Sequence, residues 1–343
     1  MWSATTMGYS RRDCRFEWVW DILETRMTTT TPLQPTLDEI YAARQRLHGI
    51  AIRTPLLQLH GSESIWVKPE NLQPVGSFKM RGIYNAVASL SPAERALGVS
   101  TVSSGNTAQG LAWAARHFGI PARAIMPLTT AANKIAATEA YGGTPDLMSG
   151  DQAFGYLRAG GYHDFPDTFI HPVANRDVIA GHGTIGLEID EDMPDVDTVY
   201  VPIGGGGLIA GISNALKALR PSVRIVGVQP AGCTPVIAGL AAGKPVDVTV
   251  DTICDGVAVS FMFPEMHPLL ESLVDDIVTV TDDDVRRMVR HLALKNKLVA
   301  EGAGALAAAA AVAAGNERRS IAIISGGSID ADRLAEIVSA DDA

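Results

Sequence analysis

Cysteine is nearly missing from this 343-residue chain: it has three, Cys14, Cys233 and Cys254, an odd number set far apart. They make neither a disulfide framework nor a metal-ligand pair, and buried or incidental thiols fit a reducing cytoplasm. Aromatic residues are also scarce, at 6%. No basic run stands out and the formal net charge is −10, so nucleic acid is not an expected partner. No apolar run reaches membrane length; the longest candidate, 303–314, is mostly alanine and too short to span. Charged residues interrupt residues 1–26, leaving no apolar stretch that could serve as a signal peptide. That segment reads as a disordered extension, with Met27 the more natural start and a docking helix over 16–23 the competing possibility.

What is present is a globular composition, 47% apolar and 19% charged, in a length that allows about two domains with cores of their own. Thr36 and Glu39 have capping-box spacing and open a helix. Strand and helix signals then alternate. Strands are expected at 65–70, 98–103, 122–126, 168–171, 198–203, 224–228, 277–280 and 321–325. Helices are expected from about Lys79 to Leu90 and at 107–118, 131–141, 177–189, 208–219, 285–294 and 330–338. Such alternation predicts an α/β protein with open, mostly parallel twisted sheets and helices on both faces. Ligands of such sheets sit at the carboxyl ends of the strands.

Three strand-to-helix turns and one lysine carry the chemistry. Lys79 lies in Pro74-Val-Gly-Ser-Phe-Lys-Met-Arg-Gly82, just past a Gly-Ser turn and just inside a helix. A lysine held in a cleft there can form a Schiff base if desolvation lowers its pKa; a solvated helix lysine fits the same letters. Gly204, Gly205, Gly206 and Gly207 follow a strand and precede Leu208 and a helix. This is a phosphate cradle with neither the lysine of a nucleotide P-loop nor the spacing of a dinucleotide site. Ser103, Ser104, Asn106 and Thr107 form a polar turn that can hold a carboxylate or simply cap a helix. Ser325-Gly326-Gly327 ends a third strand, with an ordinary turn as its plain alternative.

Together these stretches, with His171-Pro172, Val178-Ile-Ala-Gly181 and Gly183-Thr184, resemble the fold-type II pyridoxal 5′-phosphate enzymes, specifically the threonine/serine dehydratase and serine racemase group. The likeness runs from about Thr36 to Asp330. It implies a tryptophan synthase β-like fold with the cofactor between a large domain, 27–85 and 174–343, and a small domain, 86–173. It also implies that Lys79 holds pyridoxal 5′-phosphate as a Schiff base. Phe78 would pack on the ring, Asn106 would bond the ring hydroxyl, Gly204–Gly207 and Leu208 would bind the phosphate, and Ser325 would face the pyridine nitrogen. Ser103, Ser104, Asn106 and Thr107 would grip the substrate carboxylate, and Glu301 would lie near the ring. Lys79 and Ser104 are the expected catalytic residues, on opposite faces of the substrate. A serine at the pyridine nitrogen weakens the electron sink and favours prompt loss of a β-hydroxyl.

The chain departs from the group in four places. Thr107 stands where histidine is usual, and Gln229 where racemase-like members carry a metal-binding glutamate. The second acidic ligand aligns near Pro235, so no metal site is expected. His182 replaces a common glutamine, with packing the expected role. Ser325 stands where asparagine is frequent. No regulatory domain is expected after Asp330. The resulting expectation is an ammonia-lyase that converts a small β-hydroxy amino acid, by default L-threonine or L-serine, to a 2-oxo acid and ammonia. The alternatives are a serine or hydroxyaspartate racemase, a β-replacement synthase and a non-catalytic binding protein. The expected setting is cytoplasmic, as a homodimer or homotetramer, with no membrane or nucleic-acid partner.

Overall fold

The computed structural model describes residues 32–159, 165–315 and 318–340; the reading of residues 1–26 lies outside them. Leu33–Ala343 forms one compact unit. Its first helix, α1 (Leu37–Leu47), opens on the Thr36/Glu39 capping box, both halves of which are formed. Strands β1 (Leu57–Gln58) and β2 (Ile65–Pro69) pair antiparallel. Helices α2 (Lys79–Ser89) and α3 (Pro92–Ala96) lead into β3 (Val99–Val102), α4 (Asn106–Phe118), β4 (Ala122–Pro127), α5 (Ala132–Ala140), β5 (Thr144–Met148), α6 (Gly150–Ala159) and β6 (Thr168–Phe169). After the long α7 (Arg176–Asp192) come β7 (Thr198–Pro202), α8 (Gly207–Leu219), β8 (Arg224–Pro230), α9 (Pro235–Ala242), α10 (His267–Leu273), β9 (Asp276–Val280), α11 (Asp282–His291), α12 (Gly302–Ala313), β10 (Ser320–Ile324) and α13 (Ala331–Ser339).

These strands make two sheets, a six-stranded one in the order β1-β2-β10-β7-β8-β9 and a four-stranded one in the order β5-β4-β3-β6. Every pairing except β1–β2 is parallel. Parallel strands buried on both faces need apolar residues at successive positions, and β10 shows the consequence. Ile321 and Ile323 enter one core with Val199, Val201, Ile185 and Ile209, while Ala322 and Ile324 enter the other with Val67, Val226 and the alanines of α12. Residues 303–311 of the alanine run are therefore the buried part of α12, whose small side chains let it lie close under the sheet, while 312–314 are exposed. Among the described residues no helix is long and apolar enough to cross a membrane.

Several bounds differ from those expected, for local reasons. The strand expected at 168–171 ends at Phe169 because the His171 ring turns back: its Nδ1 accepts the N–H groups of Val173 and Ala174 at 3.1 and 2.7 Å. Helix α11 starts at Asp282 because Thr281 and Asp284 form a capping box, and after His291 the chain widens into a π turn, Leu292–Asn296. Strand β5, not foreseen, is a half-exposed edge strand carrying Pro145, a residue tolerated at edges and a poor strand signal. Helix α9 starts with Pro235 at its first turn and ends at Gly243 in the left-handed region; its near-continuous apolar sequence hides the helical period.

Candidate active site

Lys79 is the first residue of α2, and its approach is stitched to the end of β10. Ser77 bridges Gly326, Phe78 N–H donates to the Ser325 carbonyl at 3.0 Å, and Gly327 N–H donates to the Gly76 carbonyl at 2.9 Å. Two residues on, Arg81 is almost wholly buried. Its Nε and Nη1 reach Glu70 Oε2 and Glu188 Oε1, both at 2.7 Å. Lys68, fully buried, donates to Glu188 Oε2 and to the Thr54 carbonyl, each at 2.6 Å. Thr54 Oγ1 in turn donates to Glu70 Oε1 at 2.7 Å. The lysine-bearing helix is thus tied to β2 and α7 by a closed ionic network in which each charge has a partner. Lys79 still meets some solvent, but protein surrounds it, and this burial lowers its pKa to about 8 against the opposing pull of Glu301.

The facing wall comes from the other sheet. The loop after β3 presents Ser103, Ser104 and Gly105, all half-buried, and α4 begins at Asn106. Gly105 N–H donates to Ser103 Oγ at 3.2 Å. Asn106 Nδ2 donates to Glu301 Oε1 at 2.9 Å, whereas Asn106 Oδ1 is buried without a partner. Thr107 is buried, at 4% exposure. Burial pushes the Glu301 carboxyl up to about 7, with the Asn106 bond working against that rise. Glu301 N–H donates to the Gly326 carbonyl at 3.1 Å, and a Cβ on Gly326 would lie 2.4 Å from Glu301 Oε1, so a side chain there would push the Glu301 carboxyl aside. Ser325 is buried at the end of β10, its Oγ 3.3 Å from the Ala303 carbonyl it donates to.

Gly204, Gly205, Gly206 and Gly207 link β7 to α8. Gly206 has φ +95°, in the left-handed region, and a Cβ on Gly205 would meet Val173 Cγ2 at 2.5 Å. Helix geometry leaves the N–H groups of Gly207, Leu208 and the rest of the first turn without intrahelical partners, and the positive end of the helix dipole lies at this loop. His171 takes part in shaping it, since its bonds to Val173 and Ala174 hold Val173 against Gly205. Burial and the charge of Lys79 depress His171 to about 4, so it stays neutral. In the sequence the only signal for His171 is the His-Pro pair that ends a strand.

The structure therefore brings Lys79, Phe78, Asn106, Glu301 and Ser325 into one connected set, with the glycine loop at the end of the adjacent strand β7. A model of the pyridoxal-phosphate dependent enzymes matches residues 48–326. The chain belongs to that family. Among similar members, the L-threonine ammonia-lyase of Thermotoga maritima is 40% identical over 316 residues, covering 89% of this chain and 78% of that protein. The catabolic L-threonine dehydratase TdcB of Escherichia coli K12 is 39% identical, covering 92% of this chain and all of that protein, 100%. Maize serine racemase superposes with a TM-score of 0.81 at 32% identity, over 88% of this chain and 96% of that one. The processed threonine deaminase isoform 2 of Solanum lycopersicum gives 0.79 at 32%, over 90% and 94%. The α/β architecture of two mostly parallel sheets is the one expected of such enzymes, and pyridoxal phosphate is the family's cofactor.

Proposed function

We propose that this chain is an L-threonine ammonia-lyase that also accepts L-serine, working in the cytoplasm as a homodimer or homotetramer around one cofactor site per subunit. The observation that carries the reading is Lys79: an amine lowered to about 8 by burial, at the head of a helix pinned to the β10 turn. The likeness to threonine ammonia-lyases over most of the chain supports the choice of reaction.

The residues fit the cofactor. Asn106 Oδ1, buried and unpartnered, is an acceptor awaiting a donor such as the ring hydroxyl. The first-turn N–H groups of α8, with Gly204–Gly207 and Leu208, suit a phosphate. Phe78 flanks Lys79, whose Nζ lies 4.9 Å from the ring centroid, and offers a flat apolar wall. Ser325 supplies a hydroxyl rather than a carboxylate for the pyridine nitrogen. When bound, pyridoxal phosphate supplies an aldehyde for the amine of Lys79 and an electron sink for charge developing at the substrate Cα.

The chain's own groups do the rest. Ser103, Ser104, Asn106 and Thr107, at the start of α4, receive the substrate carboxylate through hydroxyls and N–H groups. Lys79, displaced from the cofactor as a neutral amine, takes the Cα proton, which its pKa near 8 permits at physiological pH. The β-hydroxyl leaves with a proton as water. Hydrolysis of the resulting enamine gives 2-oxobutanoate from threonine, or pyruvate from serine, and ammonia. By the likeness to serine racemases, Ser104 is the group for the substrate face away from Lys79, and slow racemisation of serine is the side activity this reading allows.

A panel of amino acids assayed for 2-oxo acid and ammonia tests the proposal; threonine is expected to give both in equal amounts. Borohydride treatment is expected to trap the cofactor on Lys79 alone. A protein that is trapped there yet releases no ammonia from threonine or serine would overturn the reaction. Trapping at another lysine would overturn the site.

A further inference from the structure

His182 is fully buried near the middle of α7, and neither ring nitrogen has a hydrogen-bond partner. The space it fills is bounded by glycine on two sides. A Cβ on Gly82, in the helix of Lys79, would lie 2.3 Å from His182 Cε1, and a Cβ on Gly211 of α8 would lie 2.9 Å from His182 Cβ. The ring meets Phe78 edge-on, with centroids 4.8 Å apart at 64°. Phe78 is the residue whose ring lies 4.9 Å from Lys79 Nζ. An apolar side chain of similar volume would fill the slot without stranding two polar atoms. Space filling therefore does not account for a histidine.

We propose that His182 is a positioning residue for Lys79: wedged between Gly82 and Gly211, it holds Phe78 edge-on and provides the uncharged polar neighbour that steadies the lysine amine. The charged groups bearing on the ring are Lys79 and Arg81 of α2; the latter is neutralised by Glu70 and by Glu188 of α7. Burial, then Lys79, then Arg81 hold the imidazole well below its usual pKa, so it remains neutral. On the other side, Lys79 feels Glu301, and its charge also reaches His171. Neither ring nitrogen bonds the amine, so the neutral imidazole acts through its ring dipole and its contact with Phe78, and an apolar replacement leaves the protonated amine in less polar surroundings.

The inference rests on reading Lys79 as the cofactor lysine, but its test runs on the full-length apo-protein. Lys79 is labelled with trinitrobenzenesulfonate from pH 6 to 10 and quantified by peptide mass spectrometry. Wild-type protein is expected to show a midpoint at about 8. His182→Leu is expected to move the midpoint down by about one unit, raising labelling at pH 7 about fivefold, because fewer amines then carry a proton. His182→Gln, polar but unable to titrate, is expected to stay within about twofold of wild type. Unchanged labelling in folded His182→Leu, or a Gln variant that behaves like Leu, would overturn the proposal. Nitrogen-15 histidine spectra of the unmutated protein give a check independent of variant folding. The His182 signals should shift as Lys79 titrates and stay still in Lys79→Ala; signals flat in both would also overturn it. Failure of borohydride trapping at Lys79 would instead count against the cofactor site and leave the labelling result standing.

Discussion

Two ionisable groups with opposite perturbations, Lys79 and Glu301, feel each other's charge. Burial lowers Lys79 to about 8 and raises Glu301 to about 7, so both titrate close to physiological pH. Glu301 sits above its unfolded value of 4.5, so the folded state holds the extra proton between 4.5 and 7. Its contribution to stability is therefore lost as pH rises through that window. Glu301→Gln is expected to raise apo-protein stability by about 2 kcal/mol at pH 8 and by little at pH 4.5, as melts at the two pH values would show. The same variant removes the charge that holds the Lys79 pKa up. The acidic limb of kcat, which reports the amine freed in the substrate complex, is accordingly expected to shift to lower pH than in wild type, a shift that a pH–rate profile reads directly. Lys79→Ala is expected to abolish ammonia release from threonine and the cofactor's visible absorbance as a lysine imine, as steady-state assays and absorption spectra would show.

At the scale of elements, α2 is oriented by charge as well as by packing. Arg81 joins Glu70 on the segment after β2 to Glu188 on α7, and Lys68 on β2 completes the circuit. A buried ion pair is weak evidence for net stability, but removing one member strands the others. Arg81→Met is expected to destabilise the fold by about 3–5 kcal/mol, measured by urea denaturation, and to release the start of α2. The glycine loop is constrained from behind. Gly205→Ala must push Val173 or the loop aside, because its Cβ would lie 2.5 Å from Val173 Cγ2. Overpacking of about 1–3 kcal/mol is expected to weaken cofactor binding by roughly 10- to 100-fold in a spectroscopic titration while the far-UV spectrum stays native.

At the scale of the molecule, the Ser103–Thr107 loop follows a strand of the four-stranded sheet, whereas the Lys79 turn is stitched to the six-stranded one. Polar contacts cross between the two sheets' segments: Lys134 of α5 pairs with Asp255 at 3.3 Å, and Asn133 Nδ2 donates to Asp330 Oδ2 at 3.3 Å. Asp255 is followed by Gly256, where a Cβ would come within 3.2 Å of Glu301 Oε1, so the crossing lies beside the site. An exposed pair of this kind contributes little to stability. Lys134→Ala is therefore expected to leave the melting temperature almost unchanged. Because the charge of Lys134 lowers the Glu301 pKa, its loss raises that carboxyl further, which a pH titration of the holoenzyme spectrum would detect.

The alternation of strands and helices, the lysine turn, the glycine loop and the Ser103–Thr107 turn were all legible in the chain. The physical reason is that period-2 and period-3.6 burial, glycine at forced backbone positions and polar residues at helix starts are local requirements, written where they act. The Phe78-Lys79 turn and the run of four glycines can be located in the sequence without reference to any partner. What tertiary structure alone decided is set by residues distant in sequence. Asn106 meets Glu301 across 195 positions, Arg81 meets Glu188 across 107, and His182 is lodged between Gly82 and Gly211. The pKa values that give Lys79 and Glu301 their chemistry come from desolvation and facing charge, and both exist only once the two sheets have packed.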